Sequence, residues 1–131
     1  MKENEKDILN KINEQCNLNL IWDNYKYNKF DAEDKHYIVE IKDRHKFYSN
    51  TMIEFSKYSY NLVYSQIKNK QFIYAVRMDS KIYIFNISTS DSAYGWEWKS
   101  IEATSNFENR QKVKKFVGYL DIDDSKRILI G

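Results

Sequence analysis

Three ionisable residues in the stretch FDAEDKHYIVEIKDR are spaced for joint chemistry: Asp31, Glu40 and Lys42. Glu40 and Lys42 interrupt a run of apolar and β-branched residues, Tyr37 to Ile41, that reads as a strand. Side chains alternate faces along a strand, so Ile38, Glu40 and Lys42 share one face while Tyr37, Val39 and Ile41 take the other. The polar AEDK just upstream suits a tight turn, so residues 25–33 and 36–43 read as a β-hairpin. With the turn at Asp34 and Lys35, Asp31 falls opposite Ile38 and diagonal to Glu40, on the same face. Two carboxylates and one ammonium then meet within side-chain reach. An ordinary ion pair is the plainer reading, yet the flanks are apolar, and burying charge is costly unless it is paired or holds a metal. Adjacent carboxylates repel, and a divalent cation relieves the repulsion. Hard oxygen donors with no Cys or His cluster suit Mg²⁺ or Mn²⁺ better than Zn²⁺.

Several elements must hold these groups in place. Ile8, Leu9, Ile12 and Cys16 recur at the spacing of an amphipathic helix over residues 5–16. Glu5 projects onto the same face as Ile8, Leu9 and Ile12, and Glu14 projects almost opposite. Leu18 to Trp22 reads as a strand or its lead-in. Ser49 or Asn50 is a suitable N-cap for a helix over 51–68, with Glu54 in its first turn and Ile53, Tyr60, Val63, Tyr64 and Ile67 at helical spacing. QFIYAVRM and KIYIFNIS read as two strands joined by Asp79 and Ser80. WEWKSIEA reads as a strand, NRQKVKKFVGYL as a short helix or a helix followed by a strand, and KRILI as a final strand or tail. The expected fold class is α/β (α+β), with a mixed central sheet flanked by helices.

Composition narrows the functions. The 131 residues suit one domain. Only three glycines are present, Gly95, Gly118 and Gly131, which excludes a Gly-rich phosphate cradle. A net charge of +2 does not by itself imply nucleic acid. Cys16 is the sole cysteine, so neither an internal disulfide nor a thiolate zinc cluster can form. MKENEKDILNK has no apolar stretch of signal-peptide length, and no run approaches the roughly 18–20 apolar residues of a membrane span. The expectation is a soluble protein of a reducing cytoplasm, with no membrane partner.

Phe30-Asp31 followed by IVEIK at 38–42 resembles the signature of the metal-dependent PD-(D/E)XK nuclease superfamily, the restriction-endonuclease-like fold. The element order α-β-β-β-α-β over residues 5–87 matches that core, leaving a C-terminal extension over 88–131. Phe30 stands where the signature has proline. The resemblance implies that Asp31 and Glu40 bind the metal, with the Ile41 carbonyl as a further ligand. It gives Lys42 the attacking water or the charge of the transition state. Many members add an acid from the first helix, for which Glu5 is better placed than Glu14. Asp23 is the rival to Asp31 as first acid. Lys57, on the helix after the motif, corresponds to a position that often serves the site or the phosphate; the alternative is a solvated helix lysine. The implied activity is an endonuclease acting on DNA, duplex or branched and junction-resolvase-like, working as a homodimer because cutting both strands takes two sites. Compact size and a composition rich in Lys, Asn, Ile and Tyr suit a phage or mobile element, hence the cytoplasm of a phage-infected bacterial cell.

Glu-x-Lys alone is uninformative in so Lys-rich a chain. Glu33-Asp34-Lys35 falls in the turn and Glu97-Trp98-Lys99 lacks a strong helix after it. His36 belongs to the turn and His45 to a loop past the motif. The densest basic run, Arg110, Lys112, Lys114 and Lys115, together with Arg44 and Lys46, reads either as a phosphate-backbone contact or as a solvated face. Trp96 and Trp98 read as core or edge packing before base stacking. The competing reading of the whole chain is a non-catalytic nucleic-acid- or protein-binding module on the same fold, such as a decayed nuclease or an inhibitor of host machinery.

Overall fold

The computed structural model describes residues 2–102 and 112–131. The elements in chain order are helix α1 (Glu3–Cys16), strands β1 (Ile21–Trp22), β2 (Ala32–Glu33), β3 (Tyr37–Arg44) and β4 (Asn50–Glu54), helix α2 (Phe55–Ile67), then β5 (Gln71–Met78), β6 (Lys81–Asn86), β7 (Glu97–Glu102), β8 (Lys112–Asp121) and β9 (Arg127–Ile130). Six strands form a mixed sheet in the order β1-β2-β3-β5-β6-β9, and three form a second sheet in the order β4-β8-β7. The β3–β5 pair is parallel and the other neighbours are antiparallel. This is the mixed α+β architecture expected from the element order. The second sheet was not expected.

The central strands are apolar on both faces because both faces are covered. One face meets α1, whose Ile8, Leu9 and Ile12 pack on Ala32, Val39, Ile41, Ala75 and Ile82. Burying each such aliphatic side chain contributes about 1.5–3 kcal/mol. The other face joins Ile38, Phe72, Tyr74 and Val76 to Ile53 and Leu120 of the second sheet. Asp79 and Ser80, both at positive φ, make the two-residue turn between β5 and β6.

Four expectations need correction. First, residues 25–31 do not continue a strand. The Asp23 carboxylate accepts from the Tyr25 N–H (3.2 Å) and the Asn28 amide (2.7 Å), and Asn61 of α2 holds the Lys29 carbonyl (3.1 Å). Local side chains therefore satisfy backbone groups that a ladder would have used. Second, residues 50–54 are strand, not the first turns of a helix. Thr51 and Ile53 are β-branched, and their partners Leu120 and Gly118 lie far along the chain, out of view of any local pattern. Third, residues 112–121 are strand rather than helix. Fourth, the apolar stripe of α2 meets the core only in part: Tyr64 packs against it, but Val63 and Ile67 are 54% and 76% exposed, while Asn61 and Ser65 are fully buried. In the second sheet, Gly118 passes beneath Trp96, where a Cβ would stand 2.8 Å from the indole ring. Trp96 is partly buried against the core, and Trp98 is 69% exposed. No helix among the described residues is long and apolar enough to cross a membrane.

Candidate active site

The turn between β2 and β3 sets the site. The Asp34 carboxylate accepts from the backbone N–H groups of His36 and Tyr37, both at 2.8 Å, an Asx turn. It opens the connection beyond the expected two residues, so Glu33 pairs with Ile38 and Ala32 with Val39. Asp31 lies one residue before this ladder, beside the stretch of β3 that carries Glu40.

Because β2 is only two residues long, the edge of β3 beyond it lacks a full ladder partner. Asp31 substitutes for one: its N–H donates to the Val39 carbonyl (2.8 Å) and its Oδ2 accepts from the Ile41 N–H (2.6 Å). Burial raises the Asp31 carboxyl to about 6, against the Ile41 hydrogen bond, and the charges of Glu40 and Glu5 raise it further.

Glu40 lies mid-strand, 2% exposed. Its Oε1 pairs with the Lys57 ammonium at 3.0 Å and with Lys42 at 3.8 Å. Its Oε2 is buried and accepts no hydrogen bond. Burial pushes its carboxyl above the usual range in spite of both lysines. Burial likewise holds the Lys42 ammonium below the lysine range; the Glu40 charge opposes this and Lys57 adds to it. Burial would depress Lys57 too, but the Glu40 charge and hydrogen bond outweigh it and hold that ammonium above its ordinary value. Glu54, at the end of β4, pairs with Lys115 at 2.9 Å, and that pairing outweighs burial and keeps its carboxyl below the usual range.

The structure thus brings Asp31, Glu40, Ile41, Lys42 and Lys57 together. Glu5 lies half-buried on α1, close enough for its charge to reach Asp31. Among the described residues, no three Asp, Glu, His or Cys side chains form a ready-made cation cage, so Glu5 does not complete a three-carboxylate set. Asp23 has both carboxylate oxygens committed to its own loop. Lys57, read from the sequence as a site group or a solvated lysine, is the nearest cation to Glu40. Arg44 and Lys46 follow Lys42 toward a groove at the end of β3. Lys112 and Lys114 are exposed on β8, Lys115 is engaged by Glu54, and Arg110 lies outside the described residues. Lys99, read from the sequence only as part of a second Glu-x-Lys, and Tyr119, which was not singled out, also line that groove; the pairing of β7 with β8 brings them there.

The donor set fits a hard divalent cation. Two carboxylates lie close enough for the charge of Glu40 to raise Asp31, both are disfavoured as bare anions, and one has a buried oxygen without a partner.

No protein-family model matches the chain, and no curated protein matches it in sequence. Among solved structures it is similar to Hjc, a Holliday junction resolvase from the archaeal hyperthermophile Archaeoglobus fulgidus, with a TM-score of 0.56 over 92% of this chain and 90% of that one. The fold is resolvase-like. At 13% identity the likeness speaks for the fold alone. It agrees with the architecture that the Asp31…Glu40-x-Lys42 resemblance implied.

Proposed function

We propose that this chain is a Mg²⁺- or Mn²⁺-dependent endonuclease that hydrolyses phosphodiester bonds in DNA, with branched DNA as its substrate class. The observation that carries the reading is Glu40: a buried carboxylate with one oxygen held by Lys57 and the other unpartnered, beside an Asp31 that is hydrogen-bonded to Val39 and Ile41 on either side of it. A resolvase-like fold around that cluster supports it.

Asp31, Glu40 and the Ile41 carbonyl would hold the cation, with Glu5 as an outer acid. The cation supplies Lewis acidity and positive charge at the phosphate when bound. Lys57 fixes Glu40 through Oε1 and leaves Oε2 to the cation. Lys42, held below the lysine range by burial, is suited to orient the attacking water. Arg44, Lys46, Lys112 and Lys114 supply the phosphate-backbone contacts, and two copies of the chain cut the two strands. The setting we propose, a phage or mobile element acting in a bacterial cytoplasm, rests on compact size and composition.

The test is incubation with a four-way junction, plain duplex and supercoiled plasmid, in Mg²⁺, in Mn²⁺ and in EDTA. Metal-dependent cutting, strongest on the junction, is expected. Glu40→Gln and Lys42→Met should abolish it while retaining the parent circular dichroism. Cutting that persists in Glu40→Gln removes the site assignment. The two ammoniums on Glu40 also suit a static ion cluster in a non-catalytic binding module. Absence of cutting together with an unchanged Tm in divalent metal selects that second reading.

A further inference from the structure

A groove of about 530 Å³, lined by both charged and apolar side chains, opens at the C-terminal end of β3. Its floor is Arg44, His45 and Lys46, and its far wall is Met52, Lys99 and Tyr119 of the second sheet. Strand alternation puts Glu40, Lys42 and Arg44 on one face, so the groove continues from the cluster that holds Glu40. Lys42 to Arg44 spans about 7 Å along the strand, comparable to the step between successive phosphates of a nucleic-acid strand.

The charge of the groove is one-sided. Among the described residues, Arg44, Lys46 and Lys99 are in no ion pair. Asp43 lines the same groove, but its carboxylate is taken by the Arg77 guanidinium at 3.0 and 3.2 Å. Glu97 stands at the rim, where it accepts from the Tyr119 hydroxyl at 2.9 Å. The Lys99 ammonium lies 5.7 Å from the Tyr119 ring centroid, which steadies it over the groove. Tyr48 is 53% exposed at the mouth and offers a ring face to a base. Cations in no ion pair among the described residues, converging on one cleft with an aromatic at its lip, match a sugar–phosphate strand and its bases.

We infer that this groove binds the backbone of the DNA strand running away from the scissile phosphate. Lys99 and Tyr119 of the three-stranded sheet form its outer wall, and Arg44 and Lys46 form its floor. The inference rests on the nuclease reading for the identity of the strand. It gives the second sheet a role: a positioning wall that commits the strand to one direction out of the site.

The test measures binding without cleavage. A labelled four-way junction is titrated by fluorescence anisotropy in EDTA over a series of salt concentrations. Lys99→Ala, an exposed strand position that should fold normally, is expected to weaken binding by about 3- to 10-fold and to lower the slope of log K against log salt by about 1. Lys46→Ala should do the same, and Lys99→Ala with Arg44→Ala should lower the slope by about 2. Lys35→Ala, at the turn on the opposite end of β3, is the control and should leave the slope at the parent value. A Lys99→Ala slope equal to that of Lys35→Ala overturns the groove assignment, as does a parent that binds no junction. Cleavage is scored separately in Mn²⁺: parent protein that binds with the expected Lys99 dependence but never cuts refutes the nuclease reading and leaves the groove standing.

Discussion

The two faces of β3 handle charge in opposite ways. On the α1 face, Asp43 receives Arg77 Nε at 3.2 Å and Nη2 at 3.0 Å, and Asn4 donates to it at 2.8 Å. The remaining Arg77 nitrogen reaches Asp7 at 2.6 Å. The hydrogen bond from Arg77 holds the Asp43 carboxyl below its usual range, and the one to Asp43 raises the guanidinium. Three residues earlier and on the other face, Glu40 has a buried oxygen with no partner, Asp31 is raised to about 6, and Lys42 is depressed. One cluster is satisfied by the protein itself; in the other, both lysines sit on one oxygen of Glu40, its second oxygen has no partner, and Asp31 is in no ion pair among the described residues. Perturbed groups whose imbalance a ligand would correct are the mark of a site, and a closed bidentate pair is the mark of a fastening.

This contrast is sharpest under substitution. Glu40→Gln should cost about 10³-fold or more in metal-dependent cleavage, because it removes a cation donor. It should change the stability of the metal-free protein by no more than about 1 kcal/mol, because losing a buried charge with one unpartnered oxygen offsets losing the counter-charge of Lys57 and Lys42. Arg77→Met should do the reverse, lowering stability by about 2–3 kcal/mol by leaving Asp43 unpaired while cleavage per folded molecule is retained. Urea unfolding beside junction cleavage reads both. Equal stability losses in the two variants would mean that both faces carry fastenings and that the Glu40 cluster is no site.

Divalent metal should separate the faces next. Mn²⁺ at a hundredfold excess over its Kd should stabilise the parent by about 2.7 kcal/mol, seen as a rise of several degrees in Tm. Arg77→Met should keep the full increment from its lower baseline, and Glu40→Gln should lose it. A metal-induced rise that survives in Glu40→Gln would place the cation elsewhere.

Much of this contrast was legible in the chain, and the failures are local. The β-branched run around Glu40, the face shared by Ile8, Leu9 and Ile12, and the Asp79-Ser80 turn each follow from short-range preference, and each appears where expected. The expected register, with Asp31 opposite Ile38, was not met: Glu33 takes that place, and the Asp34 side chain holds two backbone N–H groups at the turn. The strand at 50–54 was hidden because its partner is β8, and the lysine clamp on Glu40 followed from helix phase: Lys57 is in the first turn of α2 only because the helix starts at Phe55. Of Asp43, the sequence offered an acid beside a motif and nothing to say that Arg77, 34 residues on, would claim it. Register and long-range pairing, not residue type, separated the fastening from the site.

The smallest effect is also the most discriminating, since it turns on sign. In EDTA, the Asp31 carboxyl titrates near 6 in the folded chain against 3.8 as the unperturbed value. The folded state therefore holds that proton more tightly, and the stability it contributes is complete below 3.8 and lost as pH rises through about 6. Asp43 is lowered instead, so its contribution is complete above 3.8 and lost as pH falls through its depressed folded value. A shift of about two units corresponds to about 3 kcal/mol; partial hydration of the Asp31 carboxyl reduces this to roughly 1–2 kcal/mol. Urea unfolding of the chelated parent should accordingly lose stability as pH rises from about 4 to about 6, and again as pH falls below 4. Asp31→Asn should shrink the first loss, with Glu40 accounting for what is left of it, and should spare the second. Arg77→Met should shrink the second and spare the first. If Asp31→Asn keeps the parent slope between about pH 4 and pH 6, the Asp31 carboxyl is hydrated rather than strained by burial, and the two faces of β3 cease to differ in the way that would make one of them a site.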